Sequence, residues 1–357
     1  MKNFAMKKIR IKICGYDGGN EDFRENFIYK ILIKYYNVEI SENPDYVFYN
    51  ESSREYLKYS CIRIFYTGEN ISPNFNLCDY AVGFDYLTFA DRYYRLPLYL
   101  VTVFYNQKDL ELAGDTDFKK LINFTKQDLL NKTEFCSFTY SNYRAFEQRG
   151  LFFNKLSAYK RVNSGGNYLN NIGGRVASKM EFELKHKFSI AFENSSSPGY
   201  TTEKLVNSLA AKTVPIYWGN PVIGREFNTK RFINCHDFKN FDEVVERVKE
   251  VDNNDDLYLS IINEPVTVES YNFQDVRVGF KFFLKRIIDQ PIDLAVRRKM
   301  NNLKIMEMEK NEMFIARHTA VNVKIKKILA ILYRPFKKIK FLENLKQRYF
   351  QRNKRSR

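Results

Sequence analysis

The stretch FSIAFENSSSPGYTTEKLVNSLAAKTVPIYWGNP, residues 188–221, reads as a strand, a polar loop, a helix and a second strand. Phe188–Phe192 is apolar and too short for a helix, as a buried parallel strand would be. A Ser-rich turn and Pro198-Gly199 follow. Thr201 or Thr202 is placed to cap the next helix, with Glu203 in its first turn, where an acidic side chain suits the helix dipole. Leu205, Leu209, Ala210 and Ala211 give that helix one packing face, and Val214–Trp218 forms the next strand, ended by Gly219. A polar loop entering a helix at the carboxyl end of a parallel strand is where open α/β sheets bind ligands. Lys204 adds a point charge suited to a phosphate.

The chain has 357 residues, enough for two domains, and a 44% hydrophobic content places it among globular proteins. Its net charge of +16 suggests a nucleic-acid partner until the charge is located. Residues 291–357 carry 19 Lys and Arg against 5 acidic residues, leaving 39 basic and 37 acidic residues in the remainder. The body is nearly neutral, so no nucleic acid is expected as a partner. The five cysteines are scattered, with no CxxC pair, and read as reduced structural thiols. The basic start MKNFAMKKIRIKI lacks the apolar run of a secretory signal, and nowhere do about eighteen apolar residues run together to span a membrane.

Charged and apolar residues alternate over 7–14, apolar residues recur at helical spacing over 23–36, and short strands read at 38–40, 46–49, 62–66 and 79–84. This alternation predicts a doubly wound parallel sheet. Residues 105–132 read as a polar, helical connection. A second alternation opens at Phe135–Tyr140 and runs through a helix at 147–160, the turn Ser164-Gly165-Gly166, a helix at 179–186 and the stretch above. Further helices are expected at 240–251, 257–263 and 276–289. The fold class is therefore α/β, with an amino-terminal domain over 1–130 and a carboxy-terminal domain over 131–295. Over 296–357 a tail carries Ile325, Ile328, Leu332, Phe336, Ile339, Leu342, Leu345 and Tyr349 at helical spacing among lysines, with Pro335 interrupting the stripe. A basic amphipathic helix of this kind suits an anionic membrane surface. The competing reading packs it on the protein's own body.

There is no dinucleotide fingerprint, P-loop, GxSxG or Cys–His arrangement. Asp115-Thr116-Asp117 and Asp255-Asp256 read as solvated loop acids, and His186, His236 and His318 lack metal-ligand spacing, so no metal site is expected.

The chemistry concentrates in Glu193, Asn194, Tyr200, Glu203 and Lys204. The pattern FENS-x(4)-Y-x-TEK followed by VPIYWG resembles the α1,3/4-fucosyltransferases, in particular the bacterial members. FYTGENISPNFNLCDYAVGFD (65–85), RGLFFNKLSAYKRVNSGGN (149–167) and VIGREFNTKRFINCHDFKNFDE (222–243) are similar to the corresponding family segments, so the resemblance runs from residue 7 to about 290. It implies a GT-B fold of two Rossmann-like domains facing across a cleft, and inverting transfer of fucose from GDP-β-L-fucose to N-acetylglucosamine hydroxyls. Lys204 and Arg149 would pair with the pyrophosphate, Glu203 would accept hydrogen bonds from the ribose, and Tyr200 and Asn194 would contact the diphosphate or the fucose. Glu193 would line that pocket or shape the turn. Some members carry a Glu immediately before the Ser-Pro pair; here Ile71 stands there, and Glu69 is the candidate general base. Tyr16-Asp17-Gly18-Gly19 replaces a tryptophan-bearing turn that faces the acceptor in bacterial relatives.

The resemblance implies a transferase with GDP-fucose as donor substrate, no tightly bound cofactor and a divalent metal not required, with stimulation by metal left open. Its acceptors would be β-galactosyl-GlcNAc glycans of lipopolysaccharide or capsule. The expected place of action is the bacterial cytoplasm, peripherally on the inner membrane. The alternative is a GT-B glycosyltransferase that uses another nucleotide sugar.

Overall fold

The computed structural model describes residues 6–15, 24, 26–105, 123–142, 147–299 and 302–333, and for 102–105 and 319–333 the backbone alone. Two all-parallel sheets form it. The first has strands β1 (Lys8–Cys14), β2 (Asn37–Ile40), β3 (Tyr46–Tyr49), β4 (Ile62–Tyr66), β5 (Tyr80–Gly83) and β6 (Tyr93–Arg95) in the order β2-β1-β3-β4-β5-β6. The second has β7 (Glu134–Phe138), β8 (Val162–Ser164), β9 (His186–Phe192), β10 (Val214–Trp218) and β11 (Ile233–Asn234) in the order β11-β10-β9-β7-β8. β3 and β5 are buried along their whole length, as expected of parallel strands covered on both faces.

The order of the second sheet reverses between β7 and β9. The chain leaving β7 reaches the helix Gln148–Tyr159, and the chain leaving β9 reaches the helix Glu203–Ala210. The crevice between two such connections is the binding position of doubly wound sheets. In the first sheet the reversal lies between β1 and β3.

Secondary structure departs from the sequence reading in a few places. Tyr93–Arg95, read as part of a polar segment, is an edge strand beside β5, and Val162–Ser164 is an edge strand beside β7. The helix expected over 23–36 spans Phe27–Leu32. Asp255 and Asp256 are not loop acids; they occupy the first turn of the helix Asp255–Ile262, whose dipole favours them. Asp115–Asp117 and Tyr16–Gly19 lie outside the described residues.

The two halves share a core. Leu205, Val206 and Leu209 of the helix Glu203–Ala210 pack in one cluster with Tyr99 and Leu100 and with first-sheet residues such as Ile11, Phe48 and Ile64. The helix Phe273–Asp289, which sequence order assigns to the second domain, returns to the first. It buries Phe280, Phe283, Leu284, Ile287 and Ile288 in that cluster, and Tyr36 donates to Asp289 at 2.6 Å.

The tail reading changes as well. Its residues near 296–313 are tied to the first sheet. Asp79, completely buried, accepts from the backbone N–H groups of Arg297 (2.8 Å) and Arg298 (2.9 Å) and from Arg298 Nε (2.8 Å). Farther along, Glu309 pairs with Arg63, Glu312 with Arg54 at 2.7 Å, and Met313 packs on the first sheet's outer cluster. A buried carboxylate needs its cation and donors, and among the described residues Asp79 obtains them from this segment and from the Arg63 N–H. The helix continues from Leu303 to Tyr333. The apolar stripe beyond 319 lies outside the described side chains. No described helix is long and apolar enough to cross a membrane.

Candidate active site

The junction between β9 and the helix Glu203–Ala210 is built around a buried carboxylate. Glu193 has no exposed surface. Its oxygens accept from Thr202 N and Thr202 Oγ1, both at 2.7 Å, and pair with Lys204 Nζ at 3.2 Å. Thr202 therefore occupies the N-cap position without capping through its own side chain. Its hydroxyl is committed to Glu193, which does the ordering instead. Two glycines make the arrangement possible. A Cβ on Gly219 would lie 2.4 Å from Glu193 Cγ. Gly199, at φ +86°, passes so close to the first domain that a Cβ would meet Phe84 O at 2.6 Å.

Lys204 Nζ also contacts Thr202 Oγ1 at 2.8 Å and Glu203 Oε1 at 3.2 Å. Burial alone would drive Lys204 toward its neutral form, but Glu193 and Glu203 outweigh it and raise its pKa above the ordinary lysine value. Against the penalty of its own burial, Glu203 is held down at about 2 by Lys204 and Lys179.

Arg149 lies in the first turn of the helix Gln148–Tyr159 and is 2% exposed. Its Nε and Nη2 donate to Phe192 O at 3.2 and 2.7 Å, and Nη2 also donates to Asn194 Oδ1 at 2.8 Å. The guanidinium sits 4.1 Å from the ring centroid of Tyr140, whose hydroxyl donates to Ile190 O at 2.7 Å. No carboxylate among the described residues forms an ion pair with Arg149. It is a buried cation fixed by carbonyls and an aromatic face, with its charge left uncompensated.

Glu69 follows β4 across the cleft. Its N–H donates to Thr67 Oγ1 at 3.0 Å, and its carboxylate has no hydrogen-bond partner among the described residues. The next residue, Asn70, donates through Nδ2 to Ser195 Oγ and Ser197 Oγ, each at 2.6 Å, which fastens the Glu69 turn onto the loop after β9. Burial first, then the neighbouring Glu51 charge, raise the Glu69 carboxyl above the ordinary Glu value, with Lys204 opposing. Glu69 lines a cavity of about 260 Å³ with Asn26, Asn50, Glu51, Tyr66 and Thr67.

The residues singled out from the sequence thus gather on two facing surfaces. Lys204, Glu203, Glu193, Asn194 and Arg149 flank the switch between β7 and β9, and Glu69 stands opposite. Glu193 shapes the turn, and Asn194 orients Arg149. Tyr200 is almost wholly buried, its ring edge-on to Phe84 at 5.2 Å. Reading along the chain gave no site role to Tyr140, Asn70 and Glu51, and read Thr202 only as a possible helix cap. Each matters through a neighbour distant in sequence, and only their positions at strand ends gave a signal. His236 stacks on Trp218 at the end of β10 and His186 bonds to Phe182 O, so both rings are satisfied locally. Among the described residues no three His, Cys, Asp or Glu side chains are grouped to hold a metal.

Comparison with known proteins places this arrangement. Residues 14–102 match the family described as "Alpha-(1,3)-fucosyltransferase FucT N-terminal domain", and residues 129–272 match "Glycosyltransferase family 10 (fucosyltransferase) C-term". The chain is 37% identical over 289 residues to an α-(1,3)-fucosyltransferase FucT of Helicobacter pylori, an alignment covering 72% of this chain and 60% of that relative's length. A crystal structure of an α1,3-fucosyltransferase with GDP superposes with a TM-score of 0.68 at 33% identity, covering 82% of this chain and 94% of that one. One with GDP-fucose gives a TM-score of 0.65 at 32% identity, with the same coverage.

Proposed function

This chain belongs to glycosyltransferase family 10, the fucosyltransferases, with the GT-B fold of its solved relatives, and we propose on that footing that it transfers L-fucose from GDP-β-L-fucose to a GlcNAc hydroxyl. The observation that carries the proposal is the placing of two cations, the buried Arg149 and the largely covered Lys204, at the β7–β9 switch with a facing carboxylate, Glu69. The chain spans 60% of the Helicobacter relative's length, and its activity is inferred from the site.

In the proposed reaction the acceptor hydroxyl oxygen attacks the anomeric carbon of fucose as the bond from that carbon to the GDP oxygen breaks. Glu69 takes the hydroxyl proton, and GDP leaves with the bonding electron pair, so the configuration inverts. Lys204 and Arg149 offset the charge that grows on the pyrophosphate. Phosphate oxygens displace Glu203 from Lys204 more readily than Glu193, because the Glu203 side chain is 37% exposed and that of Glu193 is not exposed at all. Glu203 is then free to receive the ribose hydroxyls. Glu193 stays in place as the fixed counter-ion.

The acceptor is proposed to be an N-acetyllactosamine-type glycan entering the cavity beside Glu69, with lipopolysaccharide or capsule as its setting. The proposal extends to peripheral attachment at the cytoplasmic face of a bacterial inner membrane. Leu303, Phe314 and Ile315 stand exposed on the last helix, and the basic excess of the tail suits anionic lipid. Incubation with GDP-fucose and N-acetyllactosamine, followed by NMR of the product, tests the transfer. An α-linked fucose on GlcNAc is expected. The absence of GDP release with any β-galactosyl-GlcNAc or GlcNAc acceptor would overturn the proposal, and thermal-shift comparison with GDP-mannose and UDP-sugars would reveal another donor.

A further inference from the structure

Glu51 stands just past β3, and Glu69 just past β4. These strands are neighbours, with Tyr49 in register with Phe65, so both carboxylates emerge at the same edge of the sheet and line the same cavity. Thr67 lies between them and is 6% exposed. Its Oγ1 is 2.8 Å from Glu51 Oε2 and 3.1 Å from Glu69 O. The hydroxyl has one proton to give, and the charged, nearer carboxylate takes it. The Thr67 oxygen is thereby left to accept the Glu69 N–H at 3.0 Å. Glu51 is held by this bond, whereas the Glu69 carboxylate is free to meet a substrate hydroxyl.

We infer that Glu51 is a positioning residue for Glu69 in the transfer proposed above: it fixes the Thr67 hydroxyl, and through it the Glu69 turn, and sets a negative charge beside the base. The inference rests on that reading of the reaction. The charged and titratable groups around Glu69 among the described residues include Glu51, Lys204, Glu203 and Tyr200, with Tyr66 lining the same cavity. Burial and Glu51 raise its proton affinity, and Lys204 lowers it. A base of higher proton affinity accepts the hydroxyl proton more readily once ionised.

Glu51→Gln keeps an acceptor for Thr67 and removes the charge. The acid limb of its kcat profile should move to lower pH, and its plateau kcat should fall about ten-fold, with affinity for GDP-fucose unchanged. Thr67→Val keeps the charge and removes the relay, so kcat should fall with the acid limb in place. A carboxyl 13C NMR titration of the full-length, glutamate-labelled protein, with the Glu69 signal assigned through Glu69→Gln, reads the same coupling without turnover. The Glu69 titration should move to lower pH in Glu51→Gln. An unmoved titration overturns the inference even where transfer proceeds. Loss of turnover equal to that of Glu69→Gln, with the titration unmoved, overturns it too by making Glu51 itself the base. Absence of turnover in the unaltered protein, with the titration shifted as expected, overturns the proposed reaction and leaves the coupling standing.

Discussion

Asn70 lies in the loop after a strand of the first sheet and Ser195 in the loop after a strand of the second, yet Asn70 Nδ2 lies 2.6 Å from Ser195 Oγ and equally 2.6 Å from Ser197 Oγ. The residue after the candidate base is therefore fastened to the loop that precedes Lys204. Acceptor and donor surfaces are placed relative to each other by this contact as well as by the shared core.

Asn70→Ala removes both bonds while leaving the buried core untouched. Each bond contributes about 0.5–1.5 kcal/mol, so the fold should survive. Misplacement of the base should lower kcat by ten- to a hundred-fold, while calorimetry finds GDP-fucose binding nearly unchanged. Equal losses in kcat and donor affinity would place Asn70 in the donor site instead.

Glu193, Thr202 and Lys204 should behave as a unit. Glu193→Ala leaves the Thr202 N–H and hydroxyl without their buried acceptor and Lys204 with Glu203 as its one remaining carboxylate among the described residues, a loss of about 1–3 kcal/mol that thermal unfolding would register. Lys204→Ala leaves the fully buried Glu193 without its cation, held by its two bonds from Thr202, so it should cost stability as well as donor affinity. Arg149→Lys is the cleaner test of phosphate binding, because it keeps the charge and loses the forked contact with Phe192 O. Its affinity for GDP-fucose should fall at least about ten-fold.

The pH dependence follows from the raised Glu69 carboxyl. Its proton must be gone for it to act as base, so kcat/KM should fall on the acid side around a pKa above the ordinary 4.5. The stability effect has the opposite sign. A carboxylate whose folded-state pKa is raised destabilises the fold when ionised, and that cost is relieved as pH falls through the raised pKa. Urea unfolding of Glu69→Gln at neutral pH should therefore show equal or greater stability than the unaltered protein.

The tail offers a test by truncation. Ending the chain after 296 removes Arg297 and Arg298 and leaves Asp79 buried without its cation. A loss of about 3–5 kcal/mol and a much lower Tm are expected. Ending it after 318 keeps those bonds and should leave Tm and GDP binding near their original values while vesicle binding falls.

Much of this was legible along the chain because the strands announce themselves as short apolar runs closed by polar turns. Phe188–Lys204 revealed the donor junction for that reason. Its internal wiring was not legible. Thr202 looked like an ordinary cap, and only the position of Glu193 beneath Gly219 turns its hydroxyl inward. Glu51 could not be paired with Glu69 until the order of the first sheet placed β3 beside β4. Charge density suggested that the tail leaves the body. Asp79, an unremarkable acid at the start of an apolar run, ties it back.

The most direct test is a single turnover of Glu69→Gln loaded with GDP-fucose and mixed with N-acetyllactosamine. Donor binding should match that of the unaltered protein, and fucosyl transfer should be slower by about 100-fold or more. Transfer at an undiminished rate would contradict the account, since no base at Glu69 would then be needed.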